Sequence, residues 1–231
     1  MGLYFNPNNK KFIKDISSSI YVDKTGLIEK LNKILCTNDN CIAVSHARRF
    51  GKSQAANLIE AYYSVGCDSK DIFSKYEIAQ ADDFEKHLNK YNVIHIDVSS
   101  FSDYAGADVV DMITQRLLKD FRIEYPGIDY EEPLYMIISD IYMESGRRFV
   151  IIIDEWDCVI RNYADQPELV HKYMQFLHSL FKSMEATEFL ALGYVTGILP
   201  IKKINDESAL NNFRERTMMD SKNIARYYGF T

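Results

Sequence analysis

The chain has 231 residues, 47% of them hydrophobic, which suits one large α/β domain or two small ones with a sizeable core. A formal net charge of -6 and a pI near 5.4 argue against the basic face that nucleic-acid binding by the whole surface would need, while leaving room for a local basic channel. No apolar run approaches the roughly 20 residues of a membrane helix, the N-terminus carries no secretory apolar region, and Asn6 stands where N-myristoylation prefers Ser or Thr. A soluble, cytoplasmic protein is expected, with Cys36, Cys41, Cys67 and Cys158 as reduced, buried thiols, because they form no C-x-x-C pair and stand at no zinc-ligand spacing with His.

In chain order, Tyr21–Asn32 predicts a helix, with Asp23 able to cap it and Leu27, Ile28 and Leu31 as its apolar stripe. Cys41–Ser45 is a short apolar run and predicts a strand, followed by a helix over Ser53–Ser64. Phe73–Ala81 has no clear pattern, and Phe84–Lys90 reads as a short helix. "VIHIDV" (Val93–Val98) is β-branched and apolar, hence a strand. Ala107–Phe121 carries Val110, Ile113, Leu117, Leu118 and Phe121 at helical spacing. "YPGIDYEEP" is a loop by its Pro, Gly and Asp content, and Leu134–Glu144 a helix. A strand over Phe149–Ile153, a long helix over Gln166–Met184, a strand over Phe189–Val195 and a helical segment over Asn223–Tyr228 complete the set. No internal repeat interrupts the order. Helices alternating with near-continuous apolar strands predict a parallel sheet covered on both faces. Ligands of such sheets bind beyond the carboxyl ends of the strands.

Three motifs fall at such ends. "CIAVSHARRFGKSQAANLIEAYY" (Cys41–Tyr63) runs from strand through turn to helix and contains Gly-Lys-Ser. Turn and helix N–H groups would converge on a polyphosphate. Gly51 would let the backbone approach it, Lys52 would reach the β- and γ-phosphates, and Ser53 would offer a hydroxyl to Mg²⁺. His46 holds the position of the usual first Gly of G-x-x-x-x-G-K-[ST]; a histidine can adopt the left-handed conformation there at modest cost. Gly-Lys-Ser alone also occurs by chance. "RFVIIIDEWD" has the shape of a Walker B segment. Asp154 would hold Mg²⁺ through water, and Glu155 would orient and deprotonate an attacking water. Two acids can also simply emerge into solvent at a strand end, but two such motifs in order make that less apt. "FLALGYVTGILPI" ends a later strand in Thr196-Gly197, where Thr196 would contact the γ-phosphate or the water, or merely start a turn.

With "YVDKTGLIEKL", "LNKYNVIHIDVSSF", "ALNNF" and "YYGFT" added to these motifs, the chain resembles, over about Tyr21–Thr231, the bacterial AAA-ATPase-like family common in anaerobic gut and clostridial genomes. Members of that family often carry a nuclease-like domain after the ATPase. The family's loop usually has Arg-Arg-Phe before Gly-Lys-Ser, matching Arg48, Arg49 and Phe50. The resemblance implies an ATP-binding loop over His46, Ala47, Arg48, Arg49, Phe50, Gly51, Lys52, Ser53 and Gln54. It implies Ser53 and Asp154 as Mg²⁺ residues, Glu155 as catalytic base with Lys52, and Thr196 as sensor. The fold it implies is a P-loop NTPase three-layer α/β sandwich with a five-stranded parallel sheet of order 5-1-4-3-2, "RTMMD" (Arg216–Asp220) being the fifth strand. Residues 1–220 would form the ATPase core with an N-terminal helical extension, and 221–231 the start of a lid helix; the remainder of the lid and any nuclease-like domain are absent, so the sequence would be either part of a longer protein or a naturally short one. Slow Mg²⁺-dependent ATP hydrolysis driving a conformational change is the expected function. A nucleotide-dependent switch with little hydrolysis, gating the nuclease-like domain, is the alternative. A homo-oligomer with an arginine supplied in trans by Arg214 or Arg216 is a further expectation, and nucleic acid as a partner rests on family association alone. "YVDKT" could frame the base, or Asp23 and Lys24 could be an ordinary helix start. No Asn-Lys-x-Asp appears, so ATP is favoured over GTP only by the resemblance.

Overall fold

The computed structural model describes residues 2–102, 108–201, 210–217 and 225–228. Two helices, α1 (Lys10–Ile16) and α2 (Gly26–Asn32), precede β1 (Cys41–Ser45) and α3 (Lys52–Tyr63). After α4 (Lys70–Phe73), a 3₁₀ turn at Glu77–Gln80 and α5 (Phe84–His87) come β2 (Asn92–Asp97), α6 (Ser99–Ser102), α7 (Val109–Glu124) and α8 (Leu134–Ser145). Then follow β3 (Phe149–Asp154), α9 (Cys158–Asn162), α10 (Pro167–Lys182), α11 (Met184–Phe189), β4 (Leu190–Gly197) and β5 (Arg214–Thr217). A 3₁₀ turn at Ala225–Tyr227 closes the described chain.

All four strand pairings are parallel, in the order β2-β3-β4-β1-β5, which is the expected 5-1-4-3-2 read from the other edge. The central strands are wholly buried, so each alternates between two cores. Phe149, Ile151 and Ile153 face the core built with α7, α8, α10 and α11. Val150 and Ile152 face the one built with α1 to α5. The sheet is therefore the middle layer of an α/β sandwich, as periodicity predicts for near-continuous apolar strands.

Local chemistry sets several boundaries. Asp108 caps α7 by accepting from the backbone N–H groups of Val110 and Asp111. Gly146, at φ 65°, ends α8 in the left-handed conformation that glycine adopts without strain. The single helix expected over Gln166–Met184 is two helices. Ser183 is extended (φ -64°, ψ 163°), and its hydroxyl accepts from Ala186 N, so it stops α10 and caps α11. The fifth strand lies two residues before the expected start, and residues 218–220 of that expectation fall outside the described residues. The same holds for the N-terminal start of the helix expected from Ala107, and for residues 221–224 and 229–231 of the expected lid helix; Ala225–Tyr227 within it is a 3₁₀ turn. The N-terminus also covers an edge that the sequence pattern does not reveal. Phe5 bridges Ile94 antiparallel, with Asn6 N bonding Val93 O and His95 N bonding Tyr4 O, so β2 is not left open to strand addition.

None of the four cysteines is in a disulfide, but only Cys41 and Cys158 are buried; Cys36 is exposed and Cys67 half-buried, which corrects the expectation of four buried thiols. Among the described residues, no helix is long and apolar enough to cross a membrane.

Candidate functional site

The carboxyl ends of β3, β4 and β1 lie side by side, with Ile153 opposite Val195 and Ser45 opposite Gly197. The loop after β1 and the residue after β3 meet at this carboxyl end of the sheet. From β1 the chain enters the loop 46–51 and then α3. Gly51, at φ 75°, is the residue before the helix, and Arg49, at φ 68°, shares its left-handed conformation. His46 is not left-handed, so the expectation that a histidine bears the strain at the first position is corrected; Arg49 and Gly51 carry the turn instead. The His46 ring is buried, stacked on Tyr228 with centroids 5.5 Å apart and tilted against Phe50. Neither ring nitrogen has a hydrogen-bond partner among the described residues. Burial and the nearby Lys52 push the His46 pKa down, which keeps the ring neutral.

Lys52 opens α3 and is only 5% exposed. Its ammonium folds back to donate to the carbonyls of His46 (3.0 Å) and Ala47 (3.1 Å), and lies 3.8 Å from Glu155 Oε1. No acidic residue stands in the first turn of α3, so the positive end of the helix is not offset locally. Ser53 and Gln54, on that first turn, are exposed, as are Ala47, Arg48 and Arg49; Phe50 is half-buried.

At the end of β3, Asp154 is buried and its Oδ1 accepts from the Thr196 hydroxyl and from Glu155 N. Thr196 is itself buried, with its hydroxyl committed to Asp154, so it would address a ligand through that carboxylate rather than directly. Glu155 adopts φ 51°, a conformation that a non-glycine residue holds only when its surroundings over-determine it. Burial pushes its carboxyl above the usual carboxylate range; Lys52 pulls it down, Asp154 and Asp157 push it up, and Arg161 pulls it down.

Behind these groups the Trp156 indole lies close against Gly197. A Cβ on Gly197 would stand 2.6 Å from the indole and 2.7 Å from Asp157 Oδ1. Trp156 is 1% exposed and has no space to yield. Gly197→Ala is therefore expected to destabilise the protein by about 1–3 kcal/mol through overpacking. Denaturant unfolding of the variant checks this, and an unchanged midpoint would show that the ring can move.

Beside the loop is a cavity of about 110 Å³ whose walls include Phe12, Tyr21, Val22, Phe50, Leu58 and Tyr227. Ile20 and Val22, 77% and 49% exposed, stand at it as large apolar groups without cover. Gly51 and Gln54 also line it, so it is continuous with the start of α3.

The sequence model of a family described as predicted AAA-ATPases matches residues 9–205, most of the chain. The chain belongs to that family. As an AAA-ATPase-like protein it is a P-loop domain of the nucleotide-binding kind. No curated protein matches it. Among solved structures it is similar to the Aeropyrum pernix ORC2 protein in its ADPNP-ADP complexes, with a TM-score of 0.43 and 11% identity over 93% of this chain. It spans about half (51%) of that protein's length.

In this AAA-ATPase-like chain the residues expected at the site come together in part. Lys52 meets Glu155, and Asp154 meets Thr196, across three strands. "YVDKT" divides. Tyr21 and Val22 line the cavity, whereas Asp23 accepts from Thr25 N and Glu77 N and so organises the start of α2. Lys24 donates to Arg226 O, tying this segment to the 3₁₀ turn at Ala225–Tyr227. Arg214 pairs with Asp39, ahead of β1, at the end of the sheet opposite the loop; this does not fit the expectation that it faces a neighbour's nucleotide. Among the described residues, the second cation on Glu155, besides Lys52, is Arg161, which the sequence reading missed. Its one visible signal is the i,i+4 spacing of Asp157 and Arg161.

Proposed function

We propose that this chain binds ATP with Mg²⁺ at the loop 46–54 and hydrolyses it, using the cycle to drive a conformational change. The observation that carries the reading is the approach of Lys52 to Glu155 at 3.8 Å, where a helix start and the end of a buried strand converge. In the hydrolytic reaction, N–H groups at the start of α3 would cradle the phosphates, with Gly51 leaving room for close approach. Lys52 would exchange two carbonyl partners for phosphoryl oxygens, a gain because a charged acceptor binds an ammonium more strongly than a neutral one. Ser53 and Asp154 are hard oxygen donors of the type Mg²⁺ takes, and the ion would supply charge neutralisation at the phosphoryl oxygens. Thr196 would keep Asp154 in place by donating to it. Glu155 would accept the proton of the attacking water, its carboxyl pushed upward by burial.

The cavity between Tyr21 and Tyr227 is the proposed seat of the base, because its apolar aromatic walls adjoin the loop and its rim leaves Ile20 and Val22 uncovered. Tyr21→Ala should weaken ATP binding by roughly ten- to a hundredfold, the range of one lost base–aromatic stack. Binding of inorganic tripolyphosphate should not change. Equal losses for both ligands in calorimetric titrations would remove the base from this cavity.

A second reading is a nucleotide-dependent switch with little hydrolysis. It is favoured by the containment of both key charges, Lys52 on its own loop carbonyls and Glu155 between two cations. Phosphate release measured beside an ATP titration separates the two: binding without release supports the switch. A cytoplasmic location, assembly into a homo-oligomer and service to a nuclease-like domain extend the same proposal. They would be tested by fractionation of the host cells, by sedimentation with and without ATP, and by nuclease assays with and without ATP.

A further inference from the structure

Arg161 sits on α9, just beyond the Asp154-Glu155 pair, and its guanidinium is shared between two carboxylates. Nη2 donates to Glu155 Oε2 at 3.0 Å, and Nε donates to Asp157 Oδ2 at 2.8 Å. Asp157 is fully buried, and the same oxygen accepts from Ile198 N (3.2 Å) and Leu199 N (2.9 Å). The guanidinium is thus anchored through Asp157 to the turn that leaves β4, and it passes that anchorage to Glu155. The other oxygen of Glu155 faces Lys52. Of the two cations, Lys52 is the one with reason to leave, because phosphates would draw its ammonium away. Among the described residues, Arg161 would then be the side-chain contact that still fixes the carboxylate.

We propose that Arg161 is a positioning residue for Glu155, holding the carboxylate over the end of β3 and so setting the rate of the hydrolytic step without contributing to nucleotide affinity. The inference rests on the role given to Glu155 in the proposed function. A planar guanidinium can serve two acceptors in fixed directions, whereas an ammonium on a flexible stem holds neither as firmly. Misplacing a reacting group by about 1 Å is enough for a hundredfold loss in rate.

The test is steady-state ATP hydrolysis, with ATP affinity from titration, for the native chain, Arg161→Gln, Arg161→Lys, Glu155→Gln and the double variant Arg161→Lys/Glu155→Gln. Arg161→Gln is expected to lower kcat by about ten- to a hundredfold, with ATP affinity within about twofold of native. Arg161→Lys should recover part of the loss, and in the Glu155→Gln background it should cause no further fall. Because Arg161→Gln strips buried Asp157 of its charged partner, thermal melts accompany the series; if that variant does not fold, the Arg161→Lys pair decides. A loss of affinity at unchanged kcat, native-like kcat in a folded Arg161→Gln, or an equal fall with and without Glu155 would overturn the proposal. Equal rates for the native chain and Glu155→Gln would instead overturn the role of Glu155 itself.

Discussion

Lys52→Ala is expected to weaken ATP binding by at least ten- to a hundredfold, corresponding to the roughly 1.5–3 kcal/mol of a charge-assisted hydrogen bond. The fold should survive. In the structure the ammonium bonds two carbonyls of its own loop, and those contacts are offset by the desolvation of a cation that is only 5% exposed. Removing it also withdraws one of two cations from Glu155, but Arg161 remains at 3.0 Å. The melting temperature should therefore move by only a few degrees, the scale of about 1 kcal/mol in a domain of this size. Near-native affinity in a folded Lys52→Ala protein would remove the phosphate-loop reading altogether.

Glu155→Gln is expected to leave ATP and Mg²⁺ bound while slowing hydrolysis by about 10²–10⁴-fold, the contribution of a positioned general base. The amide keeps an acceptor for Arg161, so the backbone of residue 155 has no new reason to leave its left-handed conformation. The variant removes proton-accepting capacity with little else. Parallel measurements of nucleotide affinity and single-turnover rate read the two effects separately. Unchanged turnover would make Glu155 a structural partner of Arg161.

The sheet was legible because its inner strands are buried on both faces. "CIAVS" and "FVIIID" carry apolar residues at every position but the last, and only a covered parallel strand needs that. β5 is placed less well by sequence because "RERT" lies at an edge and is polar, so its position comes from pairing with β1 and not from its own pattern. α9 has five residues, too few for a helical period, and with it Arg161 goes unseen. The break at Ser183 turns on a single hydroxyl bonding a backbone N–H, a local choice that apolar periodicity on either side conceals. The candidate site divides in the same manner. Lys52, Asp154, Glu155 and Thr196 are readable because each follows a recognisable strand. The cavity is not, since its walls come from α1, from residues 20–24, from α3 and from Tyr227, and tertiary packing alone brings them together.

The central claim, that Lys52 and Glu155 form the working centre of an ATP-hydrolysing site, is tested most directly by single-turnover conversion of labelled ATP with the protein in excess and Mg²⁺ present, native chain against Glu155→Gln. The account predicts that both retain the label and that the native chain forms ADP at least about a hundredfold faster. Failure of the native chain to retain ATP, or equal conversion by the two proteins, would contradict it.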